Sequence, residues 1–163
     1  MKQVLIVFHS ATGGTRAMAQ AAWEGAREVG EVAVLLRTAA EAGPAELLAA
    51  DGYLFAAPEN LASLAGVMKD FFDRCYYPGL DRLAGRPYAA MICAGSDGAG
   101  AARQVARIAT GWRLRAVAAP LIVCTGAQTP EAILAPKLIP AAELARCREL
   151  GAGLAAGVGM GVF

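Results

Sequence analysis

The sequence predicts an α/β protein, a doubly wound parallel sheet with helices on both faces in a three-layer α/β/α sandwich. Five short apolar segments alternate with stretches whose apolar residues recur at helical spacing, the signature of a crossover-built sheet. The first segment, Val4 to Phe8, is a continuous run rich in β-branched residues, as a strand covered on both faces requires. It passes at once into a turn dense in hydroxyls and glycines and then into a helix. At 163 residues the chain fits one domain, residues 1–163, with a sizeable core.

The elements follow in order. Residues 16–29 read as a helix with Met18, Ala22, Trp23 and Ala26 on its packing face, closed by Gly30. A second strand spans 32–36 and a helix 44–50. The third strand, 52–57, is expected to end at Pro58, which cannot extend a ladder, and 59–63 to form a loop. Leu64, Val67, Met68, Phe71, Phe72 and Cys75 form the buried stripe of a helix over 64–76, which Tyr76-Tyr77-Pro78-Gly79 should break. The fourth strand covers 87–94. A helix over 101–110 follows, stopped by Gly111. The fifth strand lies within 114–124 and is clearest from Leu121 to Cys124. Residues 125–136 read as a turn-rich connection, 141–156 as a closing helix, and 157–163 as a glycine-rich apolar tail that either frays or packs on a partner.

Composition narrows the function. With 56% hydrophobic residues, 18% charged residues and a net charge of +1, the chain is globular and gives no electrostatic reason to expect nucleic acid or an acidic membrane. The four cysteines are widely spaced without a C-x-x-C pair, and the one histidine leaves no metal site to expect. Reduced cysteines, together with no evident signal peptide and no long apolar run, predict a cytoplasmic protein without membrane insertion.

The turn after the first strand carries the chemistry. Ser10, Ala11, Thr12, Gly13, Gly14 and Thr15 place three hydroxyls and two glycines at a helix N-terminus, where unpaired N–H groups and the macrodipole favour an anion. The same residues also suit an ordinary turn and N-cap. A triphosphate loop would need Gly-Lys-Ser or Gly-Lys-Thr where Gly14-Thr15-Arg16 stands, and Gly-x-Gly-x-x-Gly is absent. Phe8-His9-Ser10 lacks the carboxylates of a receiver domain, the turn lacks a nucleophilic cysteine, and Ser10 lacks a Gly-x-Ser-x-Gly elbow.

The remaining pattern, Ser-x-Thr-Gly-x-Thr, resembles the FMN phosphate loop of the flavodoxin-like family. That family includes flavodoxins, NAD(P)H-dependent FMN oxidoreductases and quinone reductases of the Trp-repressor-binding-protein type. The stretch from Ala57 to Arg74 is similar to the family's proline-led loop and following helix, and Gly95-Ser96-Asp97-Gly98 resembles its third flavin loop. The resemblance implies a five-stranded parallel sheet of order 2-1-3-4-5. It also implies FMN held by the first turn, by Pro58, Glu59, Asn60, Leu61 and Ala62, and by Gly95 to Gly98. FMN would carry the chemistry, so no catalytic side chain is expected. NAD(P)H is the implied co-substrate, and a quinone-like or other small molecule the electron acceptor.

Departures from the family keep other functions open. Gly14 stands where many relatives have asparagine, Leu61 where the quinone reductases have an aromatic, and Ala62 where they have glycine. An electron-transfer or flavin-storage protein is one alternative, disfavoured by the near-neutral charge; a flavin-free interaction module is another. The apolar composition and tail admit a homo-oligomer. His9 reads as a structural histidine or a general acid, Asp97 as a turn residue or a charge near the ring, and Arg16 as a phosphate ligand unless, as the resemblance implies, neutral donors alone hold the phosphate.

Overall fold

In the computed structural model, which describes residues 1–163, the apolar run near the N-terminus becomes β1 (Gln3–Phe8), an interior strand of the sheet. It pairs in parallel with β2 (Ala33–Thr38) on one side and β3 (Gly52–Asn60) on the other. β3 pairs in parallel with β5 (Pro87–Ala94), and β5 with two short strands, β6 (Arg115–Ala116) and β7 (Leu121–Cys124). The order β2-β1-β3-β5-β6 is the expected 2-1-3-4-5, with the fifth place shared by two pieces. The split falls at Pro120, which has no N–H to offer; Val117 makes the last rung of the first piece, to Tyr88 O, before the ladder resumes at Leu121.

The helices are α1 (Gly14–Glu28), α2 (Pro44–Ala49), α3 (Gly66–Gly79), α4 (Ala99–Gly111), α5 (Pro130–Leu134) and α6 (Ala141–Met160). Successive strand residues face opposite sides, so β1 feeds two cores. Leu5 and Val7 join Tyr53, Phe55, Phe71, Phe72 and Trp112 beneath α2, α3 and α4. Val4, Ile6 and Phe8 join Met18, Leu54, Met91, Cys147 and Leu154 beneath α1 and α6.

The structure corrects the sequence reading in four places. β3 does not stop at Pro58. The alternation that sends Ala56 O to His9 N also turns the Pro58 nitrogen toward the side that β1 has already left, so its missing N–H breaks no rung. Residues 59–63 are not an open loop: Glu59 and Asn60 pair antiparallel with β4 (Ser63–Leu64), and Leu64 is therefore strand rather than helix. Pro78 lies inside the last turn of α3 instead of ending it, and Leu80 is the C-cap. The tail is helical as far as Met160. Gly161, at φ 68°, then reverses the chain and brings Phe163 back against Gly157.

The two helices under the sheet cross at glycines. A Cβ on Gly151 would lie 2.0 Å from Ala22 O, and one on Gly25 would lie 2.1 Å from Arg148 O. Both clashes are with backbone, which cannot yield as a flexible side chain can. Arg148 secures the crossing with ion pairs to Glu24 at 3.1 Å and to Glu28. Gly151→Val should force the helices apart and destabilise the protein by about 3 kcal/mol, read as a lower urea midpoint with an unchanged m-value.

Candidate functional site

Parallel pairing puts the carboxyl ends of β1, β3, β5 and β7 at one edge of the sheet, where a cavity of about 440 Å³ opens. Its first wall is the turn after β1. There Gly13 N donates to Ser10 Oγ at 3.1 Å, which closes the turn and leaves the Ser10 proton free to donate elsewhere. Gly13 adopts φ 97° as the N-cap of α1, a conformation suited to glycine, and its carbonyl accepts the first helical bond from Ala17. The N–H groups of Gly14, Thr15 and Arg16 precede that bond and have no partner within the helix.

Two details mark this turn as more than a cap. A Cβ at Gly14 would sit 2.8 Å from Cys93 Sγ and 3.2 Å from Lys137 Cβ, so the asparagine common among relatives would not fit against this floor. The Thr15 side chain, only 2% exposed, lines the cavity; its hydroxyl has no nitrogen or oxygen partner and only the weakly accepting Cys93 thiol beside it. A buried hydroxyl without a partner costs about 1–3 kcal/mol and is seldom left so. Arg16 does not line the cavity; its guanidinium lies 5.2 Å from the centre of the Phe8 ring.

The second wall is the β3–β4 hairpin. Leu61 at φ 52° and Ala62 at φ 59° both take the left-handed conformation of a two-residue turn that favours asparagine and glycine. Leu61 is fully exposed at the tip. Glu59 ties the hairpin down: its carboxylate accepts from Gly98 N at 2.9 Å and Ala101 N at 3.1 Å, capping α4 and occupying that helix's anion-favouring end. Gln104 Oε1 adds a bond from Leu64 N.

Of the residues singled out from sequence, Ser10, Ala11, Thr12, Gly14, Thr15, Pro58, Glu59, Asn60, Leu61 and Gly95 line the cavity. Gly13, Ala62, Ser96, Asp97 and Gly98 stand outside its lining. Asp97 accepts from Ala99 N at 3.2 Å as a turn residue, and Gly98, at φ 85°, is the N-cap of α4. The sequence reading missed Cys93, Ala94, Thr125, Ala127, Ile133, Leu134 and Lys137, which complete the wall. Cys93, Ala94 and Thr125 were findable, since they lie at or just past the carboxyl ends of predicted strands. Nothing in residues 130–137 signalled a site.

The lining holds two ionisable groups with formal charge, and both are engaged. Glu59 caps α4, while Lys137 Nζ donates to the carbonyls of Ala132, Ile133 and Ala135 at 2.6–2.8 Å. Burial pushes the Cys93 thiol up, away from the nucleophilic thiolate. His9, half-buried beside the cradle but outside the cavity lining, is held below its ordinary value by desolvation. The site thus offers hydroxyls, backbone N–H groups and apolar walls. It suits a ligand that bears an anion and brings its own chemistry.

The family model of NADPH-dependent FMN reductases matches residues 28–129, which begins after the cradle. Among curated proteins, an NAD(P)H dehydrogenase (quinone) from Acidithiobacillus ferrooxidans is 33% identical over 45% of this chain and 47% of its own. A flavodoxin from Aquifex aeolicus is 37% identical over 45% of this chain and 40% of its own. The chain therefore spans less than half the length of these relatives. Among solved structures, a flavodoxin from the domain Archaea superposes with a TM-score of 0.77 at 19% identity, covering 96% of this chain and 98% of that one. A WrbA-like flavodoxin protein from Agrobacterium tumefaciens gives 0.69 at 21%, covering 97% and 98%. At these identities the structural likeness establishes the fold.

Two outcomes follow for the protein without ligand. Thr15→Val should remove the unpaired hydroxyl and stabilise it by about 1 kcal/mol in urea unfolding. Because the folded-state pKa of His9 is depressed below its ordinary 6.5, the unfolded chain binds the extra proton first. Stability should therefore fall as pH drops through 6.5 toward the folded value, and His9→Gln should flatten that part of the pH–stability curve.

Proposed function

The chain belongs to the NADPH-dependent FMN reductase family, and from that premise we propose that it is an FMN-binding oxidoreductase. In this reading it accepts hydride from NAD(P)H and passes electrons to a quinone-like or other small acceptor. The observation that carries the reading is the turn at the N-terminus of α1, where Ser10, Thr12 and Thr15 line the cavity and the buried Thr15 hydroxyl has no nitrogen or oxygen partner. A phosphate would satisfy that hydroxyl together with those of Ser10 and Thr12 and the first N–H groups of α1. The missing Cβ of Gly14 lets the turn pack directly on Cys93 and Lys137.

The donor set therefore fits FMN. Bound FMN supplies hydride and electron transfer, which the cavity's own side chains cannot. The protein's part is to bind and orient. Neutral donors would fix the phosphate end, while Pro58 to Leu61, Ala94 and Gly95 line the space beside it where a planar ring would sit. Leu61, Ile133 and Leu134 present apolar surface that would displace water from such a ring. Glu59 keeps the hairpin in place by holding it to α4.

Titration of flavin-stripped protein with FMN, followed by quenching of flavin fluorescence, tests the first step. We expect binding that depends on the phosphate, with Thr12→Ala/Thr15→Ala about a hundredfold weaker for FMN and unchanged for riboflavin. NADPH oxidation accelerated by an added quinone would then support the reductase. Tight FMN binding with slow NADPH oxidation would favour an electron carrier, as the Aquifex flavodoxin relative suggests. Absence of FMN binding would overturn both.

A further inference from the structure

α5 should not be stable by itself. It has five residues, none of them buried, so neither helix propagation nor core packing holds it. Its order comes from its ends. Thr129 Oγ1 accepts from Ala132 N at 3.2 Å and Pro130 opens the first turn. At the other end the half-buried Lys137 folds its ammonium back over the helix and donates to the carbonyls of Ala132, Ile133 and Ala135. Three acceptors that the end of a helix leaves unpaired are thereby satisfied by one cation, which the macrodipole also favours there.

Lys137 is itself fixed to the cradle. Its N–H donates to Thr12 O at 2.9 Å, and its Cβ occupies the space above Gly14. One residue therefore ties the turn that faces a phosphate to the short helix that carries Ile133 and Leu134. Those side chains line the cavity yet remain 50% and 76% exposed, a surface left for something else to cover.

We propose that Lys137 is a positioning residue that clamps α5 against the cradle, so that Ile133 and Leu134 form an apolar wall for the flavin ring. This rests on the FMN reading above. The wall supplies contact that Leu61, standing where relatives carry an aromatic, does not provide by stacking. Lys137 acts through α5: all three of its ammonium protons are spent on carbonyls, none on the ligand.

The test compares wild type, Lys137→Met, which keeps the stem, Lys137→Arg, which keeps the charge, and Ile133→Ala/Leu134→Ala. The readouts are hydrogen exchange at the Ile133 and Ala135 amides without flavin, and fluorescence titration with FMN and with riboflavin. Lys137→Met should speed exchange at both amides and weaken FMN and riboflavin alike by about tenfold. Lys137→Arg should restore most of both. The double alanine variant should lose the same affinity. Unchanged exchange in Lys137→Met would overturn the clamp. A loss confined to FMN would overturn the wall and make Lys137 a counter-charge for the phosphate. Failure of the wild type to bind either flavin would overturn the FMN reading, and the wall with it, while the exchange data would still decide the clamp.

Discussion

Parallel hydrogen bonding of β1 between β2 and β3 is the constraint from which the rest follows. It buries the strand on both faces, which demands the unbroken apolar run from Val4 to Phe8 and divides its side chains between two cores. It also ends at a defined point, where His9 N meets Ala56 O. Beyond that rung the backbone of the next five residues has no sheet to bond, and α1 begins with its first donors unpaired. The cradle is thus what a parallel strand leaves behind when it stops under a helix.

β3 shows the same logic with a different result. Because its partner β1 stops early, β3 continues through Pro58 and turns back on itself as a hairpin whose tip stands at the cavity mouth. The hairpin would be a weak wall without Glu59, whose carboxylate joins it to α4. A charge that sequence alone would offer to a ligand is thereby taken up in fixing the shape of the site.

The strands, the alternation and the cradle were legible because each rests on local chemistry: β-branched runs, helical stripes, and hydroxyls beside glycines. Legibility ended where a residue's role depends on what lies across the fold. Pro58 reads as a terminator unless the absence of β1 beside it is known. Leu64 fits a helical stripe and also a strand, and the bond from its N–H to Gln104, forty residues away, accompanies the strand. Lys137 resembles any surface lysine in a turn-rich segment, and its importance comes from a contact with Thr12, 125 residues earlier. Gly14 carries the clearest lesson. Its departure from the family's asparagine has no evident cause in the sequence, whereas in the structure Cys93 and Lys137 occupy the space that a side chain would need.

The crossing of α1 and α6 has a consequence for how the chain acquires its fold. α1 is made well before α6, and Gly25 meets Arg148 while Gly151 meets Ala22, each across more than a hundred intervening residues. Until α6 arrives, Ile6, Leu54 and Met91 lie on a sheet face covered by α1 alone. Contacts of such sequence separation form slowly, and the exposed face is a hazard while they do. A chain emerging from the ribosome thus completes the cradle's strand and helix well before α6 seals the layer beneath them. Its exposure to aggregation is set by how soon α6 docks, not by the site itself.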